Sequence, residues 1–371
     1  MLLADRITTA RQLRQLSKTD FAGLLGVTVR TVTNYEMVGA PDNKKAIISK
    51  VLGFPEGFFF QDGLPQLEKE NVEFRSFRST PAREKHAALA HSKIGIELMN
   101  WVGSKFRLPS PNIPSLSGME PTEAANVLRQ VWGLGSKPLP NLVQLCESRG
   151  IHVLGLDKEA KSVDAVSFWH DEGAYIFLGR NKTPERTRFD LAHELGHLVL
   201  HEDHDGFSER EYEAEADAFA SEFLLPRVAQ IEYVVNNPSL AQIMKYKASF
   251  GMSAFATVRA LHDSERLSDW AYRSLCVELS KRGFRTDEPG SRLSYENSKV
   301  FSTILSADSS GKYTVRTIAN QMFLPSTTVR TLMMTTDMRI VEPVGKNAGD
   351  VRSVPSGNLV NTSSGKLRLV K

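Results

Sequence analysis

The run RTRFDLAHELGHLVLH, residues 186–201, places two histidines and a glutamate where they could hold a metal ion and act on a water molecule beside it. Residues four apart share a helix face, so His193 and His197 can aim both imidazoles at one point. Glu194, next to His193, reaches the same cavity without being a ligand. In this HExxH arrangement the histidines hold Zn²⁺, the ion lowers the pKa of a bound water to about 7, and the glutamate takes its proton as general base. Leu191, Ala192, Leu195, Leu198, Val199 and Leu200 give the motif the apolar surroundings of a buried helix.

A catalytic zinc usually has three protein ligands and leaves a fourth position to water. His201 fails as the third, because eight residues of straight helix separate it from His193 by about 12 Å. No glycine turn follows His197, so an HExxHxxGxxH solution is closed too. His201 reads as a helix-end residue or a support for a ligand. The run EREYEAEADAFASEFLLP, residues 209–226, is the better source. Its apolar stripe is Ala216, Phe219, Ala220, Phe223 and Leu224, and Glu213 and Asp217, four apart, share a face. Glu213 can close the site while Asp217 orients a histidine through its second nitrogen. Glu215 is the fallback ligand. Residues 201–222 hold nine Asp or Glu against one Arg, so most of these carboxylates belong to a solvated surface.

Together these two runs resemble the ImmA/IrrE family of zinc metallopeptidases, whose pattern is an RF-x-x-AHELGH helix followed by an E-x-x-A-N/D-x-FA-x-x-LL-x-P helix. The resemblance implies a zincin-like fold with ligands His193, His197 and Glu213 and catalytic Glu194. Asp217 departs mildly from the pattern, since many members carry Asn there. The resemblance also implies cleavage of a repressor or other regulator, often itself a helix-turn-helix protein. No residue is assigned to stabilise the oxyanion; Tyr212 and His204 are the candidates.

The elements that must position these residues lie on both sides. Leu142 to Arg149 reads as a helix closed by Gly150, IHVLGL as a strand, and AVSFWHDEGAYIFL as two strands joined at Asp171, Glu172 and Gly173. A sheet edge beside such a metal commonly holds substrate as an added strand, so this hairpin is the expected peptide-binding edge. A purely structural hairpin covering the helix fits the sequence equally well.

Residues 5–52 carry a second pattern. Leu13, Leu16, Phe21, Ala22, Leu25, Val27 and Val32 suit short helices around one core. Ser17 caps a helix from Lys18 to Leu25, Gly26 breaks it, and Thr28 caps the next through Glu36. That is a helix-turn-helix plan. Its second helix would present Thr28, Arg30, Thr31 and Asn34 to a major groove, with Lys18 near a phosphate. Residues 1–60 have eight Lys or Arg against five Asp or Glu, a weak electrostatic footprint, and a bundle used for protein contacts would need the same spacings. LSKTDFAGLLGVTVRTVTNYE resembles the Cro/C1-type (XRE) DNA-binding domain, with Lys18 where many members carry glutamine.

Residues 61–115 read as a linker and a long amphipathic helix from about Ala82, with Arg75, Arg78, Arg83 and Lys85 at its basic start. Near the end, IANQMFLPSTTVRTL echoes AGLLGVTVRTVTNY: Ala22, Val27, Thr31 and Val32 recur as Ala319, Leu324, Thr328 and Val329, with Phe323 in place of the turn glycine. A composition of 41% hydrophobic and 24% charged residues suits globular domains. No stretch nears the ~18 apolar residues of a membrane span, and the first residues lack a signal peptide's apolar core. Cys146 and Cys276 form no framework and fit a reducing cytoplasm.

The expectation is therefore an α+β, mainly α, cytoplasmic protein. Residues 1–60 form a helix-turn-helix bundle, 61–115 a linker and helix, and 116–228 a zincin-like peptidase domain with a small sheet. Residues 229–344 form a helical region with a second helix-turn-helix-like unit, and 345–371 a flexible tail. Zn²⁺ is the expected cofactor, although manganese or iron could use the same donors. The expected partners are DNA and a protein substrate, a helix-turn-helix repressor; a homodimer stays open. The rival reading is a transcription regulator or antitoxin whose peptidase fold binds metal or a partner and cuts nothing.

Overall fold

The second and third of the N-terminal helices follow from their caps. α1 (Ala4–Leu13), α2 (Lys18–Leu25), α3 (Val29–Val38) and α4 (Lys45–Leu52) surround Phe21, Ala22, Leu25, Val32, Ile48 and Leu52. Ser17 accepts from the Asp20 amide while Asp20 returns a carboxylate to the Ser17 amide, so α2 starts with a reciprocal cap. Gly26 then adopts φ +65°, a left-handed turn that costs a glycine little, and Thr28 caps α3 by accepting from Thr31 N. The computed structural model describes residues 1–67, 80–157, 162–201, 208–284, 288, 293–307, 311–335 and 368–369.

α5 (Ala82–Gly103) is the expected amphipathic helix. It buries Ala87, Ala88, His91, Ile94, Ile96, Leu98 and Val102, and it belongs to the same apolar cluster as α1. The buried Arg6 guanidinium of α1 pairs with Glu97 of α5. On its other side Gly95 lies against the Phe177 ring of the central sheet, so close that a Cβ would stand 2.4 Å from the ring. Arg75 and Arg78 lie outside the described residues, as does the tail except for β5 (Arg368–Leu369), which pairs antiparallel with β1 (Phe106–Arg107).

α6 (Pro121–Val131) and α7 (Leu142–Ser148) lead into a sheet of order β2-β4-β3, from β2 (Ile151–Gly155), β3 (Ala165–His170) and β4 (Gly173–Leu178). β2 runs parallel to β4, and β3 pairs with β4 as the expected hairpin through a turn at Asp171 and Glu172. The strand period of two divides its side chains. Ile151, Val153, Ala174, Ile176 and Leu178 join the cluster under α8 (Pro184–Leu200), while Phe168, Tyr175 and Phe177 join that of α5. Thr183 caps α8, with Pro184 in its first turn, and Ser208 with Glu211 caps α9 (Glu209–Leu224).

The expected helical region 229–344 splits between two cores. α10 (Arg227–Tyr233) leads to α11 (Leu240–Phe250), α12 (Ala254–Asp263) and α13 (Asp269–Lys281), and these three share a small core of Ile243, Val258, Leu261, Leu275 and Leu279. The unit is fastened to α8 by Lys247, 1% exposed, whose Nζ lies 3.1 Å from Glu185 and 2.9 Å from Glu288. α14 (Lys299–Ser306), α15 (Val315–Gln321) and α16 (Ser326–Leu332) instead enter the N-terminal cluster through Phe301, Ile304, Ile318, Val329 and Leu332.

The sequence echo is a structural one. Thr314 caps α15 as Ser17 caps α2, Phe323 takes φ +51° where Gly26 takes +65°, and Leu324 N bonds Ala319 O as Val27 N bonds Ala22 O. α16 is nevertheless no groove-reading helix. Thr328, the counterpart of Thr31, is 3% exposed, and the Thr331 carbonyl rests on Gly155 of β2, leaving no room for a Cβ there.

Candidate metal centre

Close approach of α8 and α9 builds the site. Gly196 has no side chain, so Phe219 and Ala216 come within 3.0 and 3.4 Å of where its Cβ would be. Leu195 and Val199 pack from α8, and Phe219, Ala220 and Phe223 from α9, all buried. Full burial of side chains of this size is worth about 1.5–3 kcal/mol each. This packing sets the acidic face of α9 over the histidine face of α8.

His193, His197 and Glu213 converge, with one candidate ligand atom from each lying within 4.8 Å of the others. The two Nε2 atoms are 3.0 Å apart. The Glu213 carboxylate straddles them, Oε2 at 3.4 Å from His193 and Oε1 at 3.4 Å from His197. Oε1 is buried without a hydrogen-bond partner. Tetrahedral zinc with bonds of about 2.0–2.1 Å would separate its ligand atoms by roughly 3.3–3.4 Å, so this nitrogen, nitrogen, oxygen set fits such an ion.

Both Nδ1 atoms are held from behind. Asp217 Oδ1 lies 3.0 Å from His193 Nδ1, the contact expected of a carboxylate one turn after Glu213. His201 Nδ1 lies 2.9 Å from His197 Nδ1, and its own Nε2 is 2.9 Å from Glu215. Glu215, the fallback ligand, is thus engaged with His201. Tyr212 is buried with its ring edge-on to His201, a packing role, and His204 lies outside the described residues.

The electrostatics separate the two imidazoles. Burial pulls His193 down, but its hydrogen bonds to Asp217 and Glu213 win and push it up to about 10. Burial dominates at His197, lowering it to about 4 despite Glu213. Despite its burial, Glu213 sits well below the usual carboxylate range because the two histidine rings beside it favour its charged form. Glu194 is pushed up to about 7 by burial, against the pull of His193 and of Ser167.

Ser167 on β3 is the residue sequence reasoning missed. Its hydroxyl donates to Glu194 Oε2 at 2.6 Å and lies 3.2 Å from the Glu194 carbonyl oxygen. The only trace in the sequence is a small polar residue at an inward strand position. β3 has β4 on one side and no strand partner on the other among the described residues, so its open edge runs beside Glu194.

The second set of expected site residues stays apart from the first, on α2 and α3. Thr28, Arg30 and Asn34 are exposed and Thr31 is half-buried. The Thr28 hydroxyl is occupied by the cap and by Thr31 Oγ1 at 2.9 Å. Lys18, expected at a phosphate, is ion-paired with Glu36 at 3.2 Å.

No helix among the described residues is long and apolar enough to cross a membrane. No curated protein matches the chain. Residues 146–262, which span the three-stranded sheet, both site helices and α10 to α12, match the peptidase M78 family, described as the IrrE N-terminal-like domain.

Proposed function

We propose that this chain is a zinc-dependent endopeptidase that hydrolyses a regulator protein, joined to a DNA-binding unit at its N-terminus. The carrying observation is the convergence of His193, His197 and Glu213 beside the buried Glu194, inside a segment similar to a peptidase family. When bound by those three residues, zinc would supply a Lewis acid that acidifies water and polarises a carbonyl. Glu194 takes the proton of the attacking water as its oxygen bonds to the amide carbon, then passes that proton to the leaving nitrogen as the C–N bond breaks. Ser167 holds one Glu194 oxygen, leaving the other for proton transfer. The open edge of β3 accepts the substrate as an added strand, main chain to main chain, which carries the scissile bond past Glu194. Arg30 and Asn34 of α3 suit guanine and adenine edges. The proposed substrate is a helix-turn-helix repressor, and the proposed setting is the cytoplasm.

The test compares wild type with Glu194→Gln, quantifying bound metal and incubating each with the transcription regulator encoded nearest to its gene. The expected result is one metal per chain in both proteins and cleavage by wild type alone. Metal in both with cleavage by neither, across a panel of regulators with and without DNA, would replace this reading with that of a regulator that cuts nothing.

A further inference from the structure

We infer that His201 and Glu215 form a relay that fixes the ring and tautomer of His197, making His201 a positioning residue of the metal centre. The inference rests on the metal-site reading above and extends it outward. His197 turns Nε2 toward His193 and Glu213, so that nitrogen must offer its lone pair to a metal and the ring proton belongs on Nδ1. Nδ1 faces His201 Nδ1 at 2.9 Å, which must then accept. The His201 proton therefore sits on Nε2 and is donated to Glu215 Oε2 at 2.9 Å. One assignment satisfies every ring nitrogen.

The two ligands are thus supported unequally. His193 leans directly on Asp217, whose side chain is 63% exposed, while His197 leans on a ring only 3% exposed that Tyr212 covers. The His197 support is the better shielded from water, and His201 is the fourth residue after His197 on the same helix face. The i, i+4, i+8 series His193, His197, His201 therefore has two tasks: its first two members face the metal, and the third holds the second. Partners of this kind change metal affinity typically 10–100-fold when removed.

The test measures zinc affinity by competition with a chromophoric chelator, and the visible spectrum of the cobalt(II)-loaded protein, for wild type, His201→Phe, Glu215→Gln and Glu215→Leu. His201→Phe keeps a ring against Tyr212 but removes the acceptor. It should weaken zinc at least about tenfold and alter the cobalt bands. Glu215→Gln keeps an oxygen acceptor for His201 and should stay near wild type, whereas Glu215→Leu should lose affinity in the same direction as His201→Phe. If His201→Phe and Glu215→Leu bind zinc as wild type does, with unchanged cobalt spectra, the relay is refuted while the metal site stands. Should His201→Phe fail to fold, the two Glu215 variants decide alone. If wild type itself takes up no zinc or cobalt, the site reading falls and the relay with it.

Discussion

Ser167 shows how one hydroxyl can govern a general base. Burial makes the charged form of Glu194 costly, and the Ser167 hydroxyl at 2.6 Å is a neutral donor that favours the carboxylate and fixes its direction. Hydrogen bonds to charged groups are worth about 1.5–3 kcal/mol, which corresponds to roughly a 10–100-fold rate effect if it is expressed in the transition state. Ser167→Ala should therefore lower the cleavage rate by at least about tenfold with metal content unchanged, and Ser167→Thr should recover most of it. Equal rates for the three proteins in single-turnover cleavage would assign Ser167 to strand packing alone. The difference between this residue and the histidines is one of legibility. His193, Glu194 and His197 are tied by helical period, so spacing alone places them together. The four-residue spacing to Asp217 favours Glu213 over Glu215, but bringing Glu213 to the histidines requires the crossing of two helices, where Gly196 lets Phe219 come close. Ser167 is related to Glu194 only through the packing of a strand on a helix, and nothing local announces it.

At the scale of elements, helix ends were the most legible feature, because a cap is a contact between near neighbours. Ser17, Thr28 and Gly26 mark α2 and α3 as the sequence suggests, and the hairpin turn falls within a residue of its expected place. Less legible is a cap supplied from far away. Glu147 of α7 accepts from Ser298 Oγ and from the amides of Lys299 and Val300 at 2.7 and 3.2 Å, capping α14 across about 150 residues of chain. Burial pushes Glu147 up to about 7, against the pull of those donors. An unfolded chain would ionise it near 4.5, so between pH 4.5 and 7 the folded state holds the extra proton and stability falls as pH rises. Below 4.5 the contribution vanishes, and above 7 the penalty is complete, up to about 3 kcal/mol at 1.36 kcal/mol per unit. Glu147→Gln should thus match wild type in thermal stability at pH 4 and exceed it at pH 8. A variant less stable than wild type at pH 8 would mean that the ionised cap is the stabilising form.

The whole molecule is where sequence reading had least purchase, since α5 packs on elements about 80 residues away on either side and α14 to α16 join a cluster that begins at the other end of the chain. An amphipathic helix can be read from its own residues but what its apolar side packs on cannot, and α5 proves to lie between the N-terminal helices and the sheet. The repeat of α2 and α3 in α15 and α16 was visible as a pattern, but the burial of Thr328 and the contact of the Thr331 carbonyl with β2 were not. One consequence for the proposed operator binding is that, among the described residues, α3 and not α16 has its outer face exposed, so such binding should occupy one half-site per chain. The substitution of the turn glycine by Phe323 has its own logic. A non-glycine residue at φ +51° costs on the order of 1 kcal/mol, and here the ring it carries presses on Gly57 of the N-terminal unit. A Cβ at position 57 would stand 2.2 Å from that ring, so Gly57→Ala forces either the ring or the unit to move, at about 1–3 kcal/mol. Phe323→Ala removes the obstacle. If the two units are interlocked at this point, Gly57→Ala should destabilise the wild-type background in urea unfolding and cost much less in Phe323→Ala, a coupling of about 1 kcal/mol or more. Strict additivity of the two substitutions would mean that the ring yields freely, and the N-terminal unit would then be held by its other contacts, among them the Arg6–Glu97 pair and the apolar cluster it shares with α5 and α14 to α16.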